Sequence, residues 1–223
     1  MFHFTEYRRN KMVNQKRSAL IIIDVQNDFC PGGALEVRDG DRVIPVINRL
    51  SHLFSIIVAT QDWHPANHKS FASQHAGKKP LDVIKLGETE QVLWPNHCVQ
   101  GTGGADFHPG LNIKPVKLIV RKGMNPEIDS YSGFFENDRE TPTGLEFYLK
   151  GFGIMDVYLG GLATDYCAYY TAKDALKLGF KTYLVSDACR GVDFPENNVD
   201  NAINDLKAKG AFIIVSNELL KQE

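Results

Sequence analysis

Six short apolar runs, most of them rich in β-branched residues, recur along this 223-residue chain and constrain its fold more than any other feature. They lie at 19–24 (ALIIID), 55–60 (SIIVAT), 117–121 (KLIVR), 156–160 (DVYLG), 181–186 (KTYLVS) and 211–216 (AFIIVS). Runs without polar alternation read as strands covered on both faces, the habit of a parallel sheet. Helical patterns fall between them at 42–54, 143–150, 165–178 and 196–209. The alternation predicts a three-layer α/β/α domain, a doubly wound, mostly parallel six-stranded sheet with right-handed crossovers. The length suits one such domain, placed at 17–223, with 1–16 as an N-terminal arm or tail.

One connection breaks the rhythm. More than fifty residues rich in Pro, Gly, His and Asn separate Thr60 from Lys117, with a hint of regular structure only near 82–91. Loops of that length are uncommon in compact domains unless they carry function, so this one is expected to fold over the sheet and wall a pocket.

A formal charge of -2 and 43% hydrophobic residues describe an ordinary globular protein and argue against a nucleic-acid partner. No run approaches the roughly 18 to 20 apolar residues of a membrane span, and the first residues lack the apolar core of a signal peptide. Cys30, Cys98, Cys167 and Cys189 lie far apart without a C-x-x-C pair, which suits free thiols in a reducing compartment and predicts a cytoplasmic protein. Surface composition leaves the oligomeric state open, a homo-oligomer included.

In open α/β sheets the ligand sits beyond the carboxyl ends of the strands. Asp24 stands there after the first run, Asp62 and His64 after the second, Arg121 and Lys122 around the end of the third, and Cys167 after the fourth. Cys167 belongs to VYLGGLATDYCAYYTAKDALKL (157–178), which reads as strand, sharp turn and helix. With Thr164 or Asp165 as N-cap, Cys167 falls in the first helical turn, where the thiol is expected to ionise below the value of about 8.5 of a free cysteine. Such an elbow also leaves N–H groups free for an oxyanion. Alone, each residue has a plainer reading: a packing thiol, a loop-capping carboxylate, a solvated lysine. Together they divide the labour, Asp24 taking the thiol proton while Lys122 holds the carboxylate and stabilises the thiolate.

Asp62, His64 and the distant His97 offer one carboxylate and two imidazoles, a set that suits zinc, manganese or iron. His68 is left open as a fourth ligand, a supporting partner or a loop residue. Phe29, Trp94 and Tyr131 are placed to form an aromatic box for a flat ring. Pro31-Gly32-Gly33 lacks the spacing and the lysine of a phosphate loop, so a nucleotide site is not expected.

The blocks ALIIIDVQNDFCPGGAL, ATQDWHPANHKSF, LWPNHCVQGTGGADFHP, VRKGMNPEIDSYSGF and GGLATDYCAYYTAKDAL, in this order, resemble the nicotinamidase (pyrazinamidase) branch of the isochorismatase-like cysteine hydrolases. The resemblance runs from about Ser18 to the C terminus. It implies Cys167 as nucleophile, Asp24 as general base, Lys122 as its partner, and Asp62, His64 and His97 as ligands of one divalent metal ion, zinc before manganese or iron. Phe29, Trp94 and Tyr131 match its ring-binding positions. It also implies an oxyanion hole from the backbone N–H groups of Ala163 and Cys167 beside a cis Leu162–Ala163 peptide. The implied reaction is hydrolysis of nicotinamide, and of pyrazinamide, to the acid and ammonia, within NAD salvage. Four rivals stay open: another amidase or carbamoyl hydrolase of the superfamily, which would not need the metal, an isochorismatase-like vinyl ether hydrolase, a non-catalytic ligand-binding module that keeps the fold, and a thiol redox protein, which lacks a resolving cysteine nearby in sequence.

Overall fold

The computed structural model describes residues 13–86 and 89–220. Each of the six apolar runs forms a strand of one sheet: β1 (Ser18–Ile23), β2 (Ile56–Asp62), β5 (Leu118–Lys122), β6 (Asp156–Leu162), β7 (Lys181–Arg190) and β8 (Phe212–Ile214). Their order is β5-β2-β1-β6-β7-β8, and every pairing is parallel. Inside the long connection, β3 (Val83–Leu86) and β4 (Thr89–Val92) make a separate antiparallel pair. Of the expected N-terminal arm, residues 1–12 lie outside the described residues. Among the described residues no helix is long and apolar enough to cross a membrane.

β1 shows why three layers form. All six of its residues are buried, and successive side chains leave opposite faces of a strand. Ala19, Ile21 and Ile23 enter one core with Leu145 and Leu149 of α2 (Leu145–Gly151), Ala172 and Ala175 of α3 (Tyr169–Lys177) and Leu206 of α4 (Asn198–Ala208). Leu20 and Ile22 enter the other with Val43, Ile44, Ile47 and Leu50, the apolar stripe of α1 (Val43–Leu50), and with Leu219 of α5 (Asn217–Leu220). Burying each such branched side chain is worth about 1.5–3 kcal/mol, and a strand supplying both faces needs helices on both sides.

The chain leaves β1 toward β2 on one side and later returns to β6 on the other, so the tips of β1 and β6 flank the point where strand order reverses. Gly161 makes that junction close: its φ is +136°, and a Cβ there would lie 2.0 Å from the Ile23 carbonyl oxygen. Only glycine fits both conditions. The β6–β7 register shifts at the same place, between Leu159 and Gly161, and the Leu162–Ala163 peptide just beyond is cis.

Candidate active site

Four strand tips deliver the reactive groups. Asp24 follows β1 with φ 47°, a left-handed conformation uncommon for a residue with a side chain. Thr60, on β2, donates its hydroxyl to Asp24 Oδ1 at 2.6 Å and accepts the Asp24 N–H at 3.2 Å. The β2–β5 register sets Asp62 directly beside Lys122. The Lys122 ammonium, wholly buried, hydrogen-bonds Asp62 Oδ1, donates to Ser130 O at 2.9 Å and reaches Cys167 Sγ at 3.5 Å. It also pairs with Asp24 Oδ2 at 2.9 Å. Ligating atoms of Asp24, Asp62 and Cys167 lie within 4.8 Å of one another.

Electrostatics at this cluster corrects one expectation. Burial pushes the Cys167 thiol well above the ordinary cysteine range, with the nearby Lys122 ammonium pulling the other way and the Asp24 carboxylate adding to the rise. The expected cap is also absent: the residue before the turn is Ala163, no side chain caps it, and 164–168 winds as a π-turn rather than an α-helical one. Asp165 turns its carboxylate instead to the backbone of Val192 and Asp193. Desolvation of a thiolate in this closed site outweighs the helix end, so the thiol needs a base to remove its proton. Burial likewise raises Asp24, only partly offset by Lys122, so its carboxylate is more basic than a solvated aspartate. Burial disfavours the Lys122 charge, but Asp24 and Asp62 outweigh it and keep the lysine protonated.

With Asp24 as the proposed base, the acid limb of kcat/KM is expected above the ordinary carboxylate pKa of about 3.9, because a base must be ionised to accept the thiol proton and burial raises Asp24. The apparent value belongs to the Asp24–Cys167 pair. A pH–rate profile flat down to about pH 4 contradicts this assignment.

Beside the cluster, Asp62, His64 and His97 bring three buried ligating atoms together. Each imidazole is anchored through Nδ1, His64 on Gly123 O at 2.9 Å and His97 on Pro95 O at 2.8 Å. Both Nε2 atoms thus face Asp62 Oδ2, at 3.5 and 3.8 Å. These separations are long for hydrogen bonds, and Asp62, His64 and His97 would hold a divalent ion between them. Gly123 (φ +64°) makes room, since a Cβ there would lie 2.3 Å from His64 Cε1. Burial, reinforced by His64, pushes His97 down to about 4 and keeps it a neutral donor. Burial alone would raise Asp62, but Lys122 and the two histidines hold it ionised, well below the usual carboxylate range. The donor set fits a borderline divalent ion. His68 packs on the His64 ring, its Nδ1 2.7 Å from Ser70 Oγ and its Nε2 3.3 Å from Ile128 O.

The pocket beside these groups holds about 390 Å³, open solvent at its mouth included. Phe29, Trp94, Tyr131 and Ala163 all line it with Asp62, His97 and Cys167, whereas Asp24, Lys122 and His64 do not, so the proposed box shares one cavity with the thiol and two of the three candidate metal ligands. The sequence reading missed Leu35, Val37, Asp129, Tyr166 and Val192, which also line it. Tyr166 links the box together, meeting Trp94 and Tyr131 edge-on at ring separations of 4.9 and 5.4 Å. No pattern in the sequence marks it beyond adjacency to Cys167. Thr60 did leave a trace, as a polar residue in an otherwise apolar run. Ala163 O accepts the N–H groups of Tyr166 and Ala168, skipping the Cys167 N–H between them. Arg121 falls outside the cavity, its guanidinium stacked on Trp63.

Residues 18–218 match the family model described as the isochorismatase domain. Nicotinamidase of Acinetobacter baylyi is 50% identical over 210 residues, 94% of this chain and 98% of that protein. The chain belongs to the nicotinamidase branch of the isochorismatase family. Among solved structures, the nicotinamidase/pyrazinamidase of Acinetobacter baumanii matches with a TM-score of 0.90 at 50% identity, covering 92% of this chain and 99% of that one. The pyrazinamidase of Pyrococcus horikoshii, solved in complex with zinc, matches at 39% identity with a TM-score of 0.73, covering 89% and 99%. The family resemblance and the three-layer fold expected from the sequence both hold.

Proposed function

We propose that this chain is a metal-dependent cysteine amidohydrolase that converts nicotinamide to nicotinate and ammonia, and pyrazinamide to pyrazinoate. The observation that carries the reading is the arrangement at Asp24: Oδ1 is occupied by the Thr60 hydroxyl, while Oδ2 is paired with the Lys122 ammonium at 2.9 Å in the same cluster as Cys167. A buried carboxylate oriented by a hydroxyl on one oxygen and by an ammonium on the other, with that same ammonium 3.5 Å from the thiol sulfur, is arranged as a base. The acceptance of nicotinamide and pyrazinamide by relatives of the same branch supports the substrate.

In the proposed cycle Asp24 Oδ2 takes the thiol proton as Cys167 Sγ attacks the carboxamide carbon, and Lys122 offsets the charge that forms. The N–H groups of Ala163 and Cys167 receive the oxyanion. Asp24 then protonates the leaving nitrogen, the C–N bond breaks, and ammonia departs from a thioester on Cys167. A water deprotonated by Asp24 attacks that thioester, the C–S bond breaks, the acid leaves, and Asp24 returns the proton to sulfur. Asp62, His64 and His97 would hold the metal, zinc in preference to manganese or iron, and the ion would supply a Lewis-acid contact for the ring nitrogen. Phe29, Trp94 and Tyr131 orient the ring against the thiol. We also place the enzyme in the cytoplasm, in keeping with its four free cysteines.

Ammonia release from nicotinamide before and after chelation, then with zinc, manganese or iron added back, tests reaction, substrate and metal together. Chelation is expected to lower the rate by about 100-fold, with add-back restoring it. Protein that holds no metal as purified and acts only on carbamoylated amines overturns the reading.

A further inference from the structure

The loop 191–197 joins β7 to α4 and is held against the turn that carries Cys167 by two side chains of that turn. Asp165, buried, accepts the Val192 N–H through Oδ1 at 2.9 Å. Its Oδ2 accepts the Asp193 N–H at 2.9 Å and the Asn198 side-chain amide at 3.1 Å. Tyr166, the next residue, donates its hydroxyl to Phe194 O at 2.7 Å. The loop has a bent path, with Asp193 and Asn197 both in the left-handed region at φ 56° and 67°. Non-glycine residues adopt that region seldom, so the conformation depends on the groups that hold it. Two consequences meet in the pocket: Val192 lines it directly, and Tyr166 braces Trp94 and Tyr131.

We propose that Asp165 is a positioning residue and that the loop it holds, through Val192, forms a size-selective wall that excludes ring-substituted aromatic amides. The inference rests on the amidohydrolase reading above. One carboxylate satisfies three donors from the loop and its helix. An amide in its place presents an N–H₂ to N–H groups, and a backbone donor left without an acceptor turns toward water, taking Val192 with it. The aromatic box then loses its brace at Tyr166.

Steady-state kinetics with nicotinamide, 5-methylnicotinamide and quinoline-3-carboxamide, for the wild type, Asp165→Asn and Val192→Ala, test this. Asp165→Asn is expected to raise KM for nicotinamide more than it lowers kcat. Both variants are expected to move the ratio of kcat/KM, larger amide over nicotinamide, about 10-fold toward the larger amides, the scale of small volume changes in an apolar pocket. A merely structural role for Asp165 lowers kcat for all three amides by one factor and leaves KM and the ratio unmoved. Should Asp165→Asn not fold, Val192→Ala, which removes only the branched methyls, decides alone. An unchanged ratio in folded variants overturns the wall and leaves the substrate reading standing. A wild type that releases no ammonia from nicotinamide overturns both.

Discussion

Replacing Cys167 by Ala is expected to lower kcat for ammonia release from nicotinamide by about 10⁴-fold or more, the scale seen when a covalent nucleophile is removed from an otherwise intact site. Among the described residues no other sulfur lines the pocket beside Ala163, so the variant offers no thiol there for a thioester. The ring-binding walls and the Asp62–His64–His97 cluster are untouched by the change. Nicotinamide binding by calorimetry should therefore stay within about 10-fold of the wild type, separating nucleophile from binding residue. A Cys167→Ser variant should also be severely impaired, because its hydroxyl is a poorer nucleophile than a thiolate and asks more of Asp24. Acid quench of the wild type during turnover should trap an acyl group on Cys167, seen as added mass on that peptide. Substantial amidase activity in the Ala variant would falsify the assignment.

The second large effect is expected at Lys122, and it falls on stability as well as rate. Lys122 is the one cation in contact with both Asp24 and Asp62 among the described residues. Lys122→Met keeps much of the side-chain volume but leaves two carboxylates facing each other out of water. Breaking a buried pair by removing one partner costs about 3–5 kcal/mol. Urea titration at pH 7 should show that loss in the metal-free protein. The deficit should shrink as pH is lowered from 7, because Asp24, already raised by burial, takes up a proton and ends the repulsion. Activity should fall about 100- to 1,000-fold, since the charge developing on sulfur loses its partner. A folded Lys122→Met variant with wild-type stability at pH 7 contradicts the claim that the lysine joins the two carboxylates.

The Asp62–Lys122 contact shows where sequence reasoning stopped. Asp24, Lys122 and Cys167 were legible because each ends or follows an apolar run, and strand ends are where an open α/β sheet binds ligands. Their proposed division of labour rests on residue chemistry. The link between Lys122 and Asp62 follows instead from parallel register between β2 and β5, segments that lie some 60 residues apart, as the separation of the two residues records. The Cys167 ionisation was misjudged for a related reason. A local pattern announces a turn before a helix, but how deeply that turn is buried depends on every element packed on it. Tyr166 and Asp165 were hidden in the same way, their partners being Trp94, Tyr131 and the loop 191–197. The β3–β4 pair was only hinted at, because its short strands do not carry the continuous apolar signal of the main sheet.

The amino-acid sequence alone determined the three-layer sheet, the chain order of its strands and the residue types delivered to their tips, because unbroken apolar runs must be covered on both faces. Tertiary structure alone decided that Lys122 bridges Asp24 to Asp62, that burial raises the Cys167 thiol, and that Asp165 ties the loop 191–197 to the turn carrying that thiol. Those outcomes depend on distance and desolvation between segments remote in the chain, quantities that periodicity along one strand or helix does not contain.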